Sequence, residues 1–153
     1  MREPVQVLVY PFKIINKQPQ YLLLKRIKSR GEFWQGVTGA INKEETLQAA
    51  ALRELFEETG LNCASLIDID AKYFIQVDEK WKYLYADDVN IIEENVFAAY
   101  LDGEKDPVLD PREHTDWIWC NFDEAIGLLK YKENIEALTQ VKSYLSSNLY
   151  DKF

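Results

Sequence analysis

The chain is poor in the residues that build soft-metal and redox sites. It has one histidine, His114, and two cysteines, Cys63 and Cys120. A lone histidine leaves no histidine-based metal site or triad to expect, so His114 reads as structural. The cysteines match no metal or redox spacing. Both neighbour apolar residues and read as buried free thiols, which fits a reducing cytoplasm. No apolar run is long enough to span a bilayer. The first twelve residues hold a short apolar run broken by Pro11, with no small-residue cleavage site, and read as a strand instead of a signal peptide. Basic residues are outnumbered, 18 against 26 acidic ones, for a net charge of −8. That balance disfavours broad nucleic-acid binding. It still allows a small phosphorylated ligand held by a local metal. Repeats, low-complexity tracts and linkers are all missing, and 153 residues suit one domain with its own core.

Strand-like segments are plentiful. Residues 5–10 and 21–25 are rich in Val, Leu and Tyr, and Asn16, Lys17, Gln18 and Pro19 supply a turn between them. Residues 33–38, 65–77, 94–101 and 116–121 also read as extended. The clearest helix spans 46–59, with Thr46 placed to cap its start and Gly60 where a left-handed residue ends a helix. Two further helices are expected at 122–130 and from 133 onward. In the last, Ile135, Leu138, Val141, Leu145 and Leu149 form an apolar stripe. Strands on both sides of a central helix, with helices at the end, imply an α/β fold whose mixed sheet is covered on both faces.

The central helix carries an electrostatic anomaly. Glu54, Glu57 and Glu58 fall within about 100° of helical arc. They share the angular sector of Leu47, Ala50 and Ala51, and so prolong an apolar stripe; Leu52 and Phe56 make the opposite side apolar as well. Carboxylates in that sector should be partly desolvated and in need of a partner. Glu57 and Glu58 also occupy the last turn before Gly60, where the helix dipole disfavours a negative charge by about 0.3–1 kcal/mol. A solvated charged helix explains neither feature. Oxygen-only ligands point to a hard cation, Mg²⁺ or Mn²⁺. Such cations complete their shells with water and phosphate, which implies metal-assisted attack of water on phosphorus.

The surrounding spacing resembles the signature of the Nudix (MutT-like) hydrolases. That signature is Gly, five residues, Glu, seven residues, then Arg-Glu-U-x-Glu-Glu-x-Gly-U, with U a bulky aliphatic. Gly39, Glu45, Arg53, Glu54, Leu55, Glu57, Glu58, Gly60 and Leu61 fill every position. The resemblance implies an α/β/α sandwich and hydrolysis of a nucleoside diphosphate linked to another group. By position it implies that Glu54, Glu57 and Glu58 bind divalent cations, with one of them, Glu54 foremost, also acting as base. The Gly39 carbonyl would add a ligand. Arg53 would orient the glutamates, and Glu45 would brace the loop or join a second metal. One departure stands out. Many members have glycine just before the first signature glutamate, whereas this chain has Glu44, so a somewhat different loop shape is expected.

The flanks are similar to a bacterial group within that family, the dihydroneopterin triphosphate pyrophosphohydrolases, which also act on dATP. The likeness rests on the opening Arg2-Glu-Pro-Val-Gln-Val-Leu-Val, on Phe33-Trp-Gln-Gly-Val-Thr-Gly39, and on Glu113-His-Thr-Asp-Trp-Ile-Trp119 before a helix. It implies that Glu113 is a further metal ligand or base; otherwise Glu113 is an ordinary loop glutamate. It places Arg2, Arg26 and Thr38 near the substrate, where basic residues would offset triphosphate charge. Arg26 reads equally well as an exposed strand residue. Trp34 either stacks on a pterin or purine ring or packs in a core or subunit interface. Residues 81–85 either line a base pocket or form a plain strand.

Three functions follow. The first is a Mg²⁺-dependent pyrophosphohydrolase of dihydroneopterin triphosphate or a (deoxy)nucleoside triphosphate. The second is a Nudix hydrolase of another substrate: a dinucleoside polyphosphate, an ADP-sugar or capped RNA. The third is a non-catalytic nucleotide sensor, which the complete set of glutamates disfavours. No membrane or nucleic-acid partner is expected; the resemblance leaves the chain open between a monomer and a homodimer, since family members often dimerise.

Overall fold

The computed structural model describes residues 1–152, with side chains described as far as residue 148. Seven strands form one mixed sheet: β1 (Val5–Ile15), β2 (Gln18–Arg26), β3 (Trp34–Gln35), β4 (Val37–Ala40), β5 (Ser65–Gln76), β6 (Ile91–Tyr100) and β7 (His114–Cys120). The order runs β3-β2-β1-β6-β5, with β4 also pairing β1 and β7 also pairing β2. Only the β1–β6 pair among these is parallel. The helices are α1 (Leu47–Thr59), α2 (Phe122–Leu128) and α3 (Lys132–Lys152). Among the described residues no helix is long and apolar enough to cross a membrane.

Strand alternation sends β1 side chains to two cores. Val7 and Val9 join Leu22, Leu24, Val37 and Phe97 against Ala50, Ala51 and Leu55 of α1. Leu8, Tyr10 and Phe12 join Tyr21, Leu23 and Val96 against Ala125, Leu138, Val141 and Leu145 of α2 and α3. The expected α/β/α sandwich is therefore present, with α1 alone on one face. Leu55 is fully buried there. Cutting it back to alanine should cost about 2–5 kcal/mol. Of the apolar stripe expected on α3, Leu149 lies outside the described side chains.

Several expectations need correction. The turn between β1 and β2 is Asn16-Lys17 alone, with φ of 52° and 64°. Positive φ at both positions suits a two-residue hairpin turn, so Pro19 lies within β2 opposite Ile14. The expected strand at 33–38 is split at Gly36. A Cβ there would meet the Val9 carbonyl at 2.8 Å and the Tyr10 ring at 3.0 Å, so only glycine lets the chain pass so close to β1. Residues 81–85 are not a strand: Glu79–Leu84 is a 3₁₀ turn whose start is capped by Asp78. The second apolar side of α1 is wet, with Leu52 and Phe56 about half exposed. Cys120 is buried as expected, but Cys63 is only half-buried; both thiols are free.

Candidate active site

Local sequence fixes α1 at both ends. The Thr46 hydroxyl accepts from the Ala49 amide at 3.1 Å, and Gly60 takes φ 69° while its amide bonds the Phe56 carbonyl at 2.8 Å. The Thr59 hydroxyl donates to the Leu55 carbonyl at 2.6 Å and accepts from the Leu61 amide at 3.1 Å. The last turn, with Glu57 and Glu58, is thus held rigidly despite its unfavourable place on the dipole.

β4 runs beneath this helix. Gly39 lies so close to Glu54 that a Cβ would overlap its carboxylate. Any side chain at Gly39 would push Glu54 away, which is a physical reason for glycine at a position with no positive φ. Arg53 spreads over the same corner. Its Nε donates to Glu45 Oε2 at 2.8 Å, and its Nη2 donates to Glu45 Oε1 at 2.9 Å and to the Ala40 carbonyl at 3.0 Å. Its Nη1 reaches Glu54 at 2.8 Å and Glu57 at 3.2 Å. The fork is bidentate toward Glu45, the strongest common carboxylate arrangement. Hydrogen bonds from Arg53 hold the Glu45 carboxyl down at about 2. Glu45 also accepts from the Asn42 amide at 2.9 Å, so both its oxygens are engaged in bracing the loop.

The three helix acids are not equivalent. Glu57 is 55% exposed and touches only the rim of the cluster through Arg53. Glu54 is 13% exposed; burial raises its pKa, and the Arg53 hydrogen bond only partly offsets this. Glu58 is 1% exposed; no amide, guanidinium or hydroxyl donates to its oxygens, and its carboxyl lies close enough to Glu54 to share a proton with it. Burial, then repulsion from Glu54 and Glu113, pushes Glu58 well above the usual carboxylate range.

Glu113 comes from the turn before β7. Its carbonyl accepts from the Ile27 amide at 2.9 Å, which ties the turn to the end of β2. Carboxylate oxygens of Glu58 and Glu113 and a ring nitrogen of His114 lie within 4.8 Å of one another, a spacing that suits one cation. His114 Nε2 is 3.6 Å from Glu58 Oε1, an electrostatic contact too long for a hydrogen bond. Burial, then the Arg26 charge, lowers the imidazole to about 4, so it is neutral at physiological pH. Arg26 stands opposite His114 in the sheet, beside a bulge after Lys25. Its charge faces Glu58 and Glu113, and its buried Nε has no hydrogen-bond partner.

The structure therefore gathers Glu54, Glu58, Glu113 and Arg26, with Glu57 at the rim and Arg53 and Glu45 behind. Arg2 is exposed near the chain start, its amide bonded to the Leu84 carbonyl at 2.8 Å. Trp34 and Thr38 are both half-buried, on β3 and β4. Trp34 packs against the core under α2 and α3, and Thr38 stands opposite Leu8, which faces that same core. The Thr38 hydroxyl accepts from Gln35 at 3.2 Å. Sequence reasoning set His114 aside, yet it lies against Glu58; the available signal was its position next to Glu113 at the start of a strand.

Unpartnered buried carboxylates repel one another and persist where a cation neutralises them. The donor set fits a divalent metal. Residues 5–141 match the family model described as NUDIX domain. The chain belongs to the Nudix family. A dihydroneopterin triphosphate diphosphatase of Haemophilus influenzae is 32% identical over 136 residues, covering 86% of this chain and 83% of the relative. The solved dihydroneopterin triphosphate pyrophosphohydrolase of E. coli is 29% identical, with a TM-score of 0.78 over 91% of this chain and 94% of that one. A Nudix hydrolase structure from Listeria monocytogenes gives a TM-score of 0.82 at 28% identity, over 95% of this chain and 97% of that one. This Nudix chain is thus a hydrolase of phosphoanhydrides.

Proposed function

We propose that this Nudix hydrolase is a Mg²⁺-dependent pyrophosphohydrolase of dihydroneopterin triphosphate or a (deoxy)nucleoside triphosphate such as dATP. Water adds to phosphorus, the phosphoanhydride bond breaks, and the products are a monophosphate and pyrophosphate. The observation that carries this reading is Glu58, buried without an amide, hydroxyl or guanidinium donor on its oxygens and crowded by Glu54 and Glu113 near the Arg26 guanidinium. The similarity to dihydroneopterin triphosphate diphosphatases over most of the chain supports the substrate class.

Glu54, Glu58 and Glu113 would hold Mg²⁺, with Glu57 and the Gly39 carbonyl completing the set. Bound there, the cation neutralises phosphate charge and lowers the pKa of water. Glu54 is our choice of base: it is partly exposed, and Arg53 fixes its position. Glu113 is the second candidate for that role. Glu45 serves as a brace, since a metal bond would cost it an Arg53 contact. Arg26 and Arg2 face the substrate phosphates, and the half-buried Trp34 and Thr38 remain candidates for further substrate contacts. The same reading makes the chain a single cytoplasmic domain acting on a small molecule without nucleic acid, and a homodimer; its net charge of −8 and two free thiols support the first part.

Product analysis tests the reaction. With Mg²⁺, dihydroneopterin triphosphate or dATP should yield pyrophosphate and a monophosphate in equal amounts. Release of orthophosphate alone, or turnover confined to dinucleoside polyphosphates or ADP-sugars, would refute it.

A further inference from the structure

A second feature lies next to the acid cluster, and its meaning rests on the hydrolytic reading above. Met1, Arg2, Arg30, Tyr83 and Leu84 line an open cavity of about 460 Å³. That size is in the range of small-molecule sites. The wall is assembled from three separate pieces of chain. The Arg2 amide bonds the Leu84 carbonyl at 2.8 Å, which ties the N-terminus to the 3₁₀ turn carrying Tyr83. The Arg30 amide bonds the Ile27 carbonyl at 2.9 Å, and the Ile27 amide bonds the Glu113 carbonyl at 2.9 Å. The cavity is thereby linked, through two residues of backbone, to the turn that presents Glu113.

Charge points the same way. Arg26 is within electrostatic reach of Glu58 and Glu113 and also of Arg2 and Arg30. In a chain of net charge −8, Arg2 and Arg30 share one cavity wall and both lie within electrostatic reach of Arg26. They repel one another unless an anion lies between them. Tyr83 is 73% exposed in the cavity wall, so packing does not account for its ring. Trp34, the aromatic residue that the flanking sequence suggests for ring stacking, is half-buried against the core.

We propose that this cavity takes the ring-bearing end of the substrate, with Tyr83 stacking on the heterocycle and Arg30 joining Arg2 and Arg26 on the phosphates. A flat aromatic face accepts pterin and purine alike, because stacking needs no particular hydrogen-bond edge. Arginine forks bind phosphate bidentately and also stack on rings, which suits a wall made of both residue types.

The test uses the full chain and the variants Tyr83→Ala, Tyr83→Phe and Arg30→Met. Steady-state rates with dATP and dihydroneopterin triphosphate give KM and kcat. Calorimetric titration with dAMP, and separately with pyrophosphate, reports binding without turnover. Tyr83→Ala should raise KM and weaken dAMP about tenfold while leaving kcat and pyrophosphate affinity in place. Tyr83→Phe should restore both values, and Arg30→Met should raise the KM for dATP. Unchanged dAMP affinity in Tyr83→Ala, or no recovery with Tyr83→Phe, would overturn the assignment. If the parent binds dAMP in a Tyr83-dependent way yet releases no pyrophosphate from dATP, the cavity assignment stands and the proposed reaction is what fails.

Discussion

Glu58 and Glu94 are both almost fully buried, at 1% and 2% exposure, on opposite sides of one sheet. Glu58 hangs from α1, with Glu54 and Glu113 beside it and no amide, hydroxyl or guanidinium donor on either oxygen. Glu94 points from β6 toward α3, where Gln6 donates to one of its oxygens and the other has no partner. Burial raises both carboxyls; for Glu94 it outweighs the Gln6 bond and brings the group to about 7. Desolvation alone therefore does not mark a site. What separates the two is company: Glu58 is surrounded by acids from two elements and a buried guanidinium. Such a group is costly empty and favourable around a cation.

The largest effect should come from Glu58→Gln. Loss of an outer-shell partner typically costs a metal site about 10–100-fold. Loss of Glu58 itself should exceed that in turnover. Without divalent ions the variant should be at least as stable as the parent, because a buried amide needs no proton, whereas the buried, crowded carboxyl must take one up. Added Mg²⁺ should raise parent stability by about 2.7 kcal/mol at a hundredfold excess over its dissociation constant. Glu94→Gln should keep that gain and Glu58→Gln should lose it. Thermal melts with and without Mg²⁺ read this directly, and an equal gain in all three proteins would show that the cluster is not the cation site.

A smaller effect separates the two acids by pH. The Glu94 carboxyl sits at about 7 in the fold, above its ordinary 4.5. An acid raised in this way costs the fold nothing below the ordinary value. The cost grows as pH rises from there and is complete above the folded value. Glu94→Gln should therefore match the parent near pH 4.5 and exceed its stability near pH 8 by on the order of 3 kcal/mol. Urea unfolding at the two pH values measures the difference. A gain of the same size at both would mean that packing, not charge, sets it.

Much of this was legible in the sequence. The Thr46 cap, the Gly60 terminator and the strand alternation report local physics, and each appears in place. The clustering of Glu54 and Glu58 also follows from helix periodicity, because one element carries both. Exposure was harder, since it depends on partners brought from far along the chain. Glu57 shares the angular sector of Glu58, yet only Glu58 lies under the β7 turn. Leu52 and Phe56 make a second apolar side of α1 but stay about half exposed. Arg26 and His114 meet through a register shift between β2 and β7, and periodicity carries no trace of it. Aromatic content alone left residues 81–85 open between a pocket lining and a plain strand, and Asp78 directs the chain into a 3₁₀ turn.

The smallest effect asks whether the cost of the site loop is electrostatic, as at Glu58, or conformational. Glu44 has φ 67°, and the Glu45 amide bonds the Asn42 carbonyl at 3.0 Å to close the turn around it. A positive φ at this third position is the geometry in which turns favour glycine. The glutamate is thus held in the conformation that glycine adopts freely, so the departure from the family signature shows up as strain. The left-handed region costs a side-chain-bearing residue roughly 1–2 kcal/mol. Glycine would recover this less its own extra chain entropy, for a net gain of about 0.5–1 kcal/mol. Glu44→Gly should raise the melting midpoint accordingly and leave turnover within about twofold, because the Glu44 side chain is exposed. Glu44→Gln removes the charge and keeps the strain, so it should gain almost nothing. If glutamine gains as much as glycine, the cost at Glu44 is charge repulsion, and the loop belongs with Glu58 instead of with the backbone.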